Sequence, residues 1–273
     1  MQKTNIKHPV KNWVFFDIGN VIFYDLPLLA RIWSNFYSTL KEAGWQASFE
    51  QVMEYREQIL TEDSIGRTTP MRLIAQRYAP GIPESIRQKA VEGWDHLYPG
   101  ANHPLPGIAQ VIKQLRGIYR LGIIANQPGL ALDELEKHDL KHLFDHIIIS
   151  DLVGYHKPDV RIFEEAMRRT GADPKNSIMV GDRIDNDIRP AKMLGMKTVW
   201  LDQDFRTISY APENDHERLY AQSYIKITGI DQGIKGPQDR PDEIIQTIDQ
   251  LPEALSRISA GIKANANLTV SDK

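Results

Sequence analysis

The sequence is 273 residues long, 41% apolar, and carries a net charge of -3 with no cysteine. A chain of that length buries roughly three quarters of its unfolded surface without a disulfide or structural metal, and the missing cysteines exclude thiol nucleophiles, thiolate zinc sites and iron–sulfur clusters. The charge supplies no field for nucleic acid, no window approaches the run of about 18 apolar residues that a bilayer span requires, and Lys3, Lys7 and Lys11 precede no signal-like apolar core, so the expected setting is cytoplasmic.

Trp13-Val14-Phe15-Phe16 is an unbroken apolar run ending at Asp17, as suits a strand covered on both faces of a parallel sheet. Gly19-Asn20 then predicts a tight turn. Residues 24–98 read as helices forming a separate unit. Ser48 to Gln51 is a capping-box pattern opening Phe49–Leu60, Thr69-Pro70 opens Met71–Tyr78, and a further helix covers Pro83–Leu97. Trp33, Phe36, Tyr37 and Trp45 are expected to form the core of this unit, and Arg31, Arg56 and Arg67 to lie on solvated helix faces. The unit's six arginines and two lysines against ten acids give it no basic field.

After Pro104 helices and strands alternate. Ile108, Val111, Ile112 and Leu115 share one helix face. Strands are predicted at Leu121–Ala125, His146–Ile149, Ser177–Val180 and Thr198–Leu201. Helices are predicted at Leu130–His138, Val160–Thr170 (closed by Gly171) and Asp187–Leu194. Such alternation implies a parallel α/β sheet with right-handed crossovers. Residues 203–240 are polar and read as an extension with little predictable structure, Glu243–Ile245 as a short strand, Ile248–Ile258 as a closing helix, and 260–273 as a disordered tail. The core is thus expected over 11–23 and 99–259.

Ligands of open α/β sheets bind beyond the carboxyl ends of the strands. That edge gathers Asp17, the Ala125-Asn126-Gln127 turn, Lys157 and Asp182, with Asp187 five residues on. Converging carboxylates repel unless a hard cation joins them, and magnesium takes oxygen ligands and favours phosphate. A lysine offsets charge on a transferring phosphoryl group, and a carboxylate can be the nucleophile.

These residues also carry a family likeness. The sequence resembles the haloacid dehalogenase-like (HAD) hydrolase superfamily, most of whose members are magnesium-dependent phosphatases. Phe15 to Val21 is similar to its first motif, with Asp17 in the nucleophile position, and Ile123 to Asn126 to its second. Lys157-Pro158-Asp159 with Phe163 is similar to the third. Gly181-Asp182 with Asp187 is similar to the fourth. The resemblance spans roughly residues 13 to 202 and implies a Rossmann-like parallel-sheet core with an inserted all-helical cap domain. It implies Asp17 and Lys157 as catalytic residues, Asn126 and Lys157 as phosphate-binding, and Mg²⁺ held by Asp17, the Gly19 carbonyl, Asp182 and Asp187. The expected partner is a small phosphorylated metabolite, sugar-phosphate-like, with neither nucleic acid nor membrane involved and the oligomeric state left open.

Two positions depart from the family pattern. Gly19 stands where the family has an aspartate general acid, a loss typically worth about 10²–10⁴ in rate. Ala125 replaces the serine or threonine that holds a phosphate oxygen. These changes point to a slow or selective phosphatase suited to good leaving groups; the alternative is a catalytically impaired binding or regulatory protein on the same fold. A dehalogenase ranks lower, because such enzymes lack the paired acids of the fourth motif.

Overall fold

The computed structural model describes residues 12–61, 70–204, 211–228, 234 and 236–271, with side chains to residue 262. In chain order the elements are β1 (Trp13–Phe16), β2 (Phe23–Tyr24), α1 (Leu26–Glu42), α2 (Phe49–Thr61), α3 (Pro70–Tyr78), α4 (Glu84–Glu92) and β3 (His103–Pro104). Then come α5 (Ile108–Arg116), β4 (Arg120–Ala125), α6 (Ala131–Lys137), β5 (His146–Ile149), α7 (Ser150–Val153), α8 (Arg161–Thr170) and β6 (Ser177–Gly181). After a π turn at Ile184–Ile188, the chain continues through α9 (Arg189–Met193), β7 (Lys197–Leu201), α10 (Asp215–Thr228), β8 (Glu243–Ile245) and α11 (Leu251–Ser271). The expected strands are all present. β2 and β3, a two-stranded sheet, come in addition.

Six strands form one sheet in the order β5-β4-β1-β6-β7-β8, every pair parallel. The apolar run of β1 is fully buried because β1 is central, flanked by β4 and β6. Trp13, Phe15, Ile124, Ile148 and Met179 pack with Ile162 and Phe163 of α8 in one cluster. Gly122 is required there: a Cβ would fall 2.6 Å from the Phe15 ring. Gly171, at φ 66°, closes α8 as expected, its amide reaching Met167 O.

The chain divides into two compact units. One comprises residues through Phe23, Pro104–Gln203 and those from Ile234; the other comprises Tyr24–His103 and Asp204–Gly233. The chain therefore passes between them four times.

The second unit carries α1 to α4, and it also takes in residues 204–233 of the segment read as an extension with little predictable structure. α10 packs on α1 and α2. His216 stacks on Phe49 with ring centroids 4.2 Å apart, its Nδ1 2.7 Å from Ser34 Oγ, and Lys226 pairs with Glu57. Arg56 is not on a solvated face. It is buried, donates to Ser223 Oγ at 2.9 Å and lies 5.7 Å from the Trp33 ring and 5.1 Å from that of Tyr220; the aromatic faces take over part of the solvation that burial removes. Arg31 is half-buried and Arg67 lies outside the described residues. Trp33, Phe36 and Trp45 are buried, while Tyr37 is half-buried and edges onto Phe49. The capping box forms reciprocally: Ser48 N–H donates to Gln51 Oε1 and Gln51 N–H to Ser48 Oγ.

Three other boundaries differ. Gly93 ends α4, so the expected Pro83–Leu97 helix breaks into α4 and a 3₁₀ turn at Asp95–Leu97. The expected Asp187–Leu194 helix begins three residues early as the wide π turn. α11 continues past residue 259 into the expected tail, tied down by Tyr119 Oη, which donates to Leu255 O at 3.2 Å and lies 2.9 Å from Ser259 Oγ. No helix among the described residues is long and apolar enough to cross a membrane.

Candidate active site

Because β4, β1 and β6 are neighbours, Ala125, Asp17 and Asp182 emerge side by side at the carboxyl edge of the sheet. Asp17 N–H extends the ladder by donating to Val180 O at 2.9 Å. Its Oδ1 accepts from Ile18 N–H at 2.8 Å and lies 2.8 Å from Lys157 Nζ. Among the described residues none donates to Oδ2, so the two oxygens of this half-buried carboxylate are inequivalent.

Lys157 is the hub. Its side chain is 1% exposed, and Nζ sits 2.5 Å from Asp187 Oδ1 as well as 2.8 Å from Asp17 Oδ1. Burial pulls its pKa down, but the two carboxylates outweigh burial and raise it above the ordinary lysine value. Asp187 is fully buried, and burial pushes its carboxyl up to about 6 against the pull of Lys157. Its Oδ2 accepts from Arg183 N–H at 3.0 Å, so both oxygens are engaged by protein donors. The π turn brings this side chain back onto the end of β6. There Gly181 is indispensable, because a Cβ would overlap Asp187 Cβ and Cγ and lie 2.5 Å from Oδ2. Gly181→Ala is expected to push Asp187 off Lys157 and cut turnover by about 10²-fold; steady-state kinetics beside a thermal melt check this, and full activity would show that Asp187 tolerates displacement.

Asn126 is half-buried beyond β4. Its Oδ1 accepts from Lys157 N–H at 2.7 Å and its Nδ2 donates to Lys157 O at 2.8 Å. The carboxamide is thus a clamp on the backbone of Lys157, a role its residue type alone does not reveal. Ala125 is buried and brings no hydroxyl to this edge. Gly19 lies buried in the turn after β1, where Asn20 N–H donates to Phe23 O at 2.7 Å and Phe23 N–H to Ile18 O at 2.9 Å.

Two residues outside the sequence motifs' functional positions meet Asp182. Asn20 Nδ2 donates to Asp182 Oδ2 at 3.2 Å, and Trp200 Nε1 donates to Asp182 O at 2.9 Å. Arg183 is held by Asp185 through Nε at 3.0 Å and Nη2 at 2.6 Å, and its charge is felt by Asp182 and Asp187 as well.

Asp17, Asp182 and Asp187 each offer a carboxylate oxygen within 4.8 Å of the others. The three carboxylates outnumber the one ammonium wedged among them, and the donors are hard oxygens; both features fit a magnesium-sized divalent cation.

A family model described as haloacid dehalogenase-like hydrolase matches residues 11–195. The chain belongs to that family. This HAD-like hydrolase is 29% identical over 192 residues to the glyceraldehyde 3-phosphate phosphatase of Methanopyrus kandleri, covering 68% of this chain and 82% of the relative. It is 30% identical over 184 residues to the phosphoserine phosphatase of Thermus thermophilus, covering 65% of each. The crystal structure of the HAD phosphatase from Thermococcus onnurineus matches it with a TM-score of 0.58 and 23% identity, over 89% of this chain and 97% of that one; at that identity the match speaks for the fold alone.

Proposed function

We propose that this HAD-like hydrolase is a magnesium-dependent phosphomonoesterase acting on a small, sugar-phosphate-like metabolite through an aspartyl-phosphate at Asp17. The observation that carries the reading is the buried ammonium of Lys157 wedged between Asp17 and Asp187 beside Asp182. A purely structural ion pair needs no third acid next to it. The phosphatase names of the two curated relatives support the substrate class.

Asp17 Oδ2 is the oxygen assigned to attack, since Oδ1 is occupied by Ile18 N–H and Lys157. It bonds to phosphorus as the ester oxygen leaves, and that oxygen draws its proton from solvent because Gly19 offers no acid. Water then attacks the aspartyl-phosphate, the bond from phosphorus to Asp17 breaks, and phosphate and the free carboxylate are regenerated. Lys157 neutralises Asp17 before attack and the phosphoryl oxygens during it. Asp187 is assigned to positioning Lys157, whose Nζ its Oδ1 meets at 2.5 Å, beside its place in the acid cluster. Asn126 fixes Lys157 from the backbone side and would reach phosphate with the remaining Nδ2 hydrogen. The carboxylates of Asp17 and Asp182 and the Gly19 carbonyl would hold magnesium, which supplies charge neutralisation and orientation of the phosphoryl group.

Without a general acid, rate should depend steeply on the leaving group. Against a panel of phosphorylated metabolites with and without magnesium, aryl phosphates, acyl phosphates and sugar 1-phosphates are expected to turn over about 10²-fold faster than alkyl phosphates. Equal rates would show that another group supplies the proton. Gly19 and Ala125 also favour a second reading, a regulatory protein that keeps the site; it prevails if no phosphate ester turns over while the divalent cation still binds.

A further inference from the structure

Asp182 is gripped at both ends by residues outside the acid–lysine cluster. β6 leaves the ladder after Gly181, whose partner on β7 is Trp200. The indole of Trp200 then donates to the carbonyl of the very next residue, Asp182. At the other end, Asn20 Nδ2 takes carboxylate Oδ2. Asn20 is buried and holds a left-handed backbone, φ 51°, a conformation asparagine tolerates better than most residues. That turn is pinned by its own amide, which donates to Phe23 O at 2.7 Å.

We infer that Asn20 and Trp200 are a positioning pair that sets divalent-cation affinity by presenting Asp182 in a fixed orientation. The inference rests on the active-site reading above. The chemistry of the two donors suits the task. Lys157 cancels charge on Asp17 and Asp187, whereas a carboxamide and an indole are neutral donors, so they orient Asp182 without adding a compensating charge of their own. Outer hydrogen bonds of this kind are worth roughly 10–100-fold in metal affinity.

The test is Mn²⁺ binding to the full chain, followed by electron paramagnetic resonance of the free ion, with Mg²⁺ competition. Asn20→Gly removes the carboxamide but keeps the left-handed turn, and Trp200→Phe removes the indole N–H but keeps a large ring. Each is expected to weaken Mn²⁺ binding about ten-fold while kcat at saturating metal stays within a few-fold of wild type. Trp200→Phe serves as the independent arm should Asn20→Gly lose the turn, which a thermal melt reports. Unchanged Mn²⁺ affinity in folded variants overturns the inference alone; a wild type that binds no Mn²⁺ overturns it together with the active-site reading.

Discussion

Replacing Asp17 by asparagine is expected to abolish phosphate-ester hydrolysis, by at least about 10⁴-fold in kcat, while leaving the fold intact. The amide is isosteric, its oxygen can still accept from Ile18 N–H, and the substitution relieves repulsion in a crowded acid cluster. What disappears is the proposed nucleophile, and the neighbouring acids are held elsewhere: Asp187 by Lys157 and the Arg183 amide, and Asp182 by Asn20. Losing a covalent nucleophile leaves only positioning and electrostatics to act on water. Single-turnover assays with a radiolabelled phosphate ester separate the outcomes: wild type should label transiently on Asp17 and the variant should not. A variant that retains more than a few per cent of wild-type rate would exclude covalent catalysis by this residue.

Lys157→Met is expected to damage stability as well as activity. The methionine keeps the volume of the stem but removes the only described cation between two carboxylates, one of them fully buried. Breaking a buried ion pair by deleting one partner typically costs about 3–5 kcal/mol, since the stranded charge keeps its desolvation cost. Part of that is recovered if Asp187 takes up a proton, to which burial already inclines it. A fall in the urea midpoint equivalent to about 3 kcal/mol, with turnover below detection, is the expected result. The double variant Lys157→Met/Asp17→Asn should lose less stability than Lys157→Met alone, because one of the two stranded charges is gone. Additive losses would mean that the Asp17–Lys157 contact carries no energy in the folded protein.

The sheet and its chemical edge were legible in the sequence for a simple reason: both are written in short-range patterns. β1 spans its apolar run and β5 has the bounds read from the sequence, and the acids stand directly after the strands that position them. What was not legible depends on partners far along the chain. α10 presents Tyr220, Ser223 and His216 to α1 and α2, so its buried face reads as polar until Trp33, Arg56, Ser34 and Phe49 are seen across from it. The π turn hides for a similar reason: Asp185 and Asn186 spell a loop, and only the approach of Asp187 to Gly181 shows why the coil is wound one residue wide. Asn126 illustrates a different limit. A carboxamide suits a phosphate oxygen and a peptide group equally well, and no local pattern distinguishes the two until Lys157 is seen lying against it.

The four passages of the chain between its two units bear on how this enzyme could be dissected or remodelled. A gene fragment cut from residue 24 to 103 would encode α1 to α4 but omit α10, exposing Trp33, Arg56 and Phe49 where Tyr220, Ser223 and His216 now cover them. Exchanging this unit with a relative's by grafting that stretch alone would therefore yield a chimaera with a misfolded or aggregating lobe. The transplantable module is discontinuous, and both of its pieces must travel together.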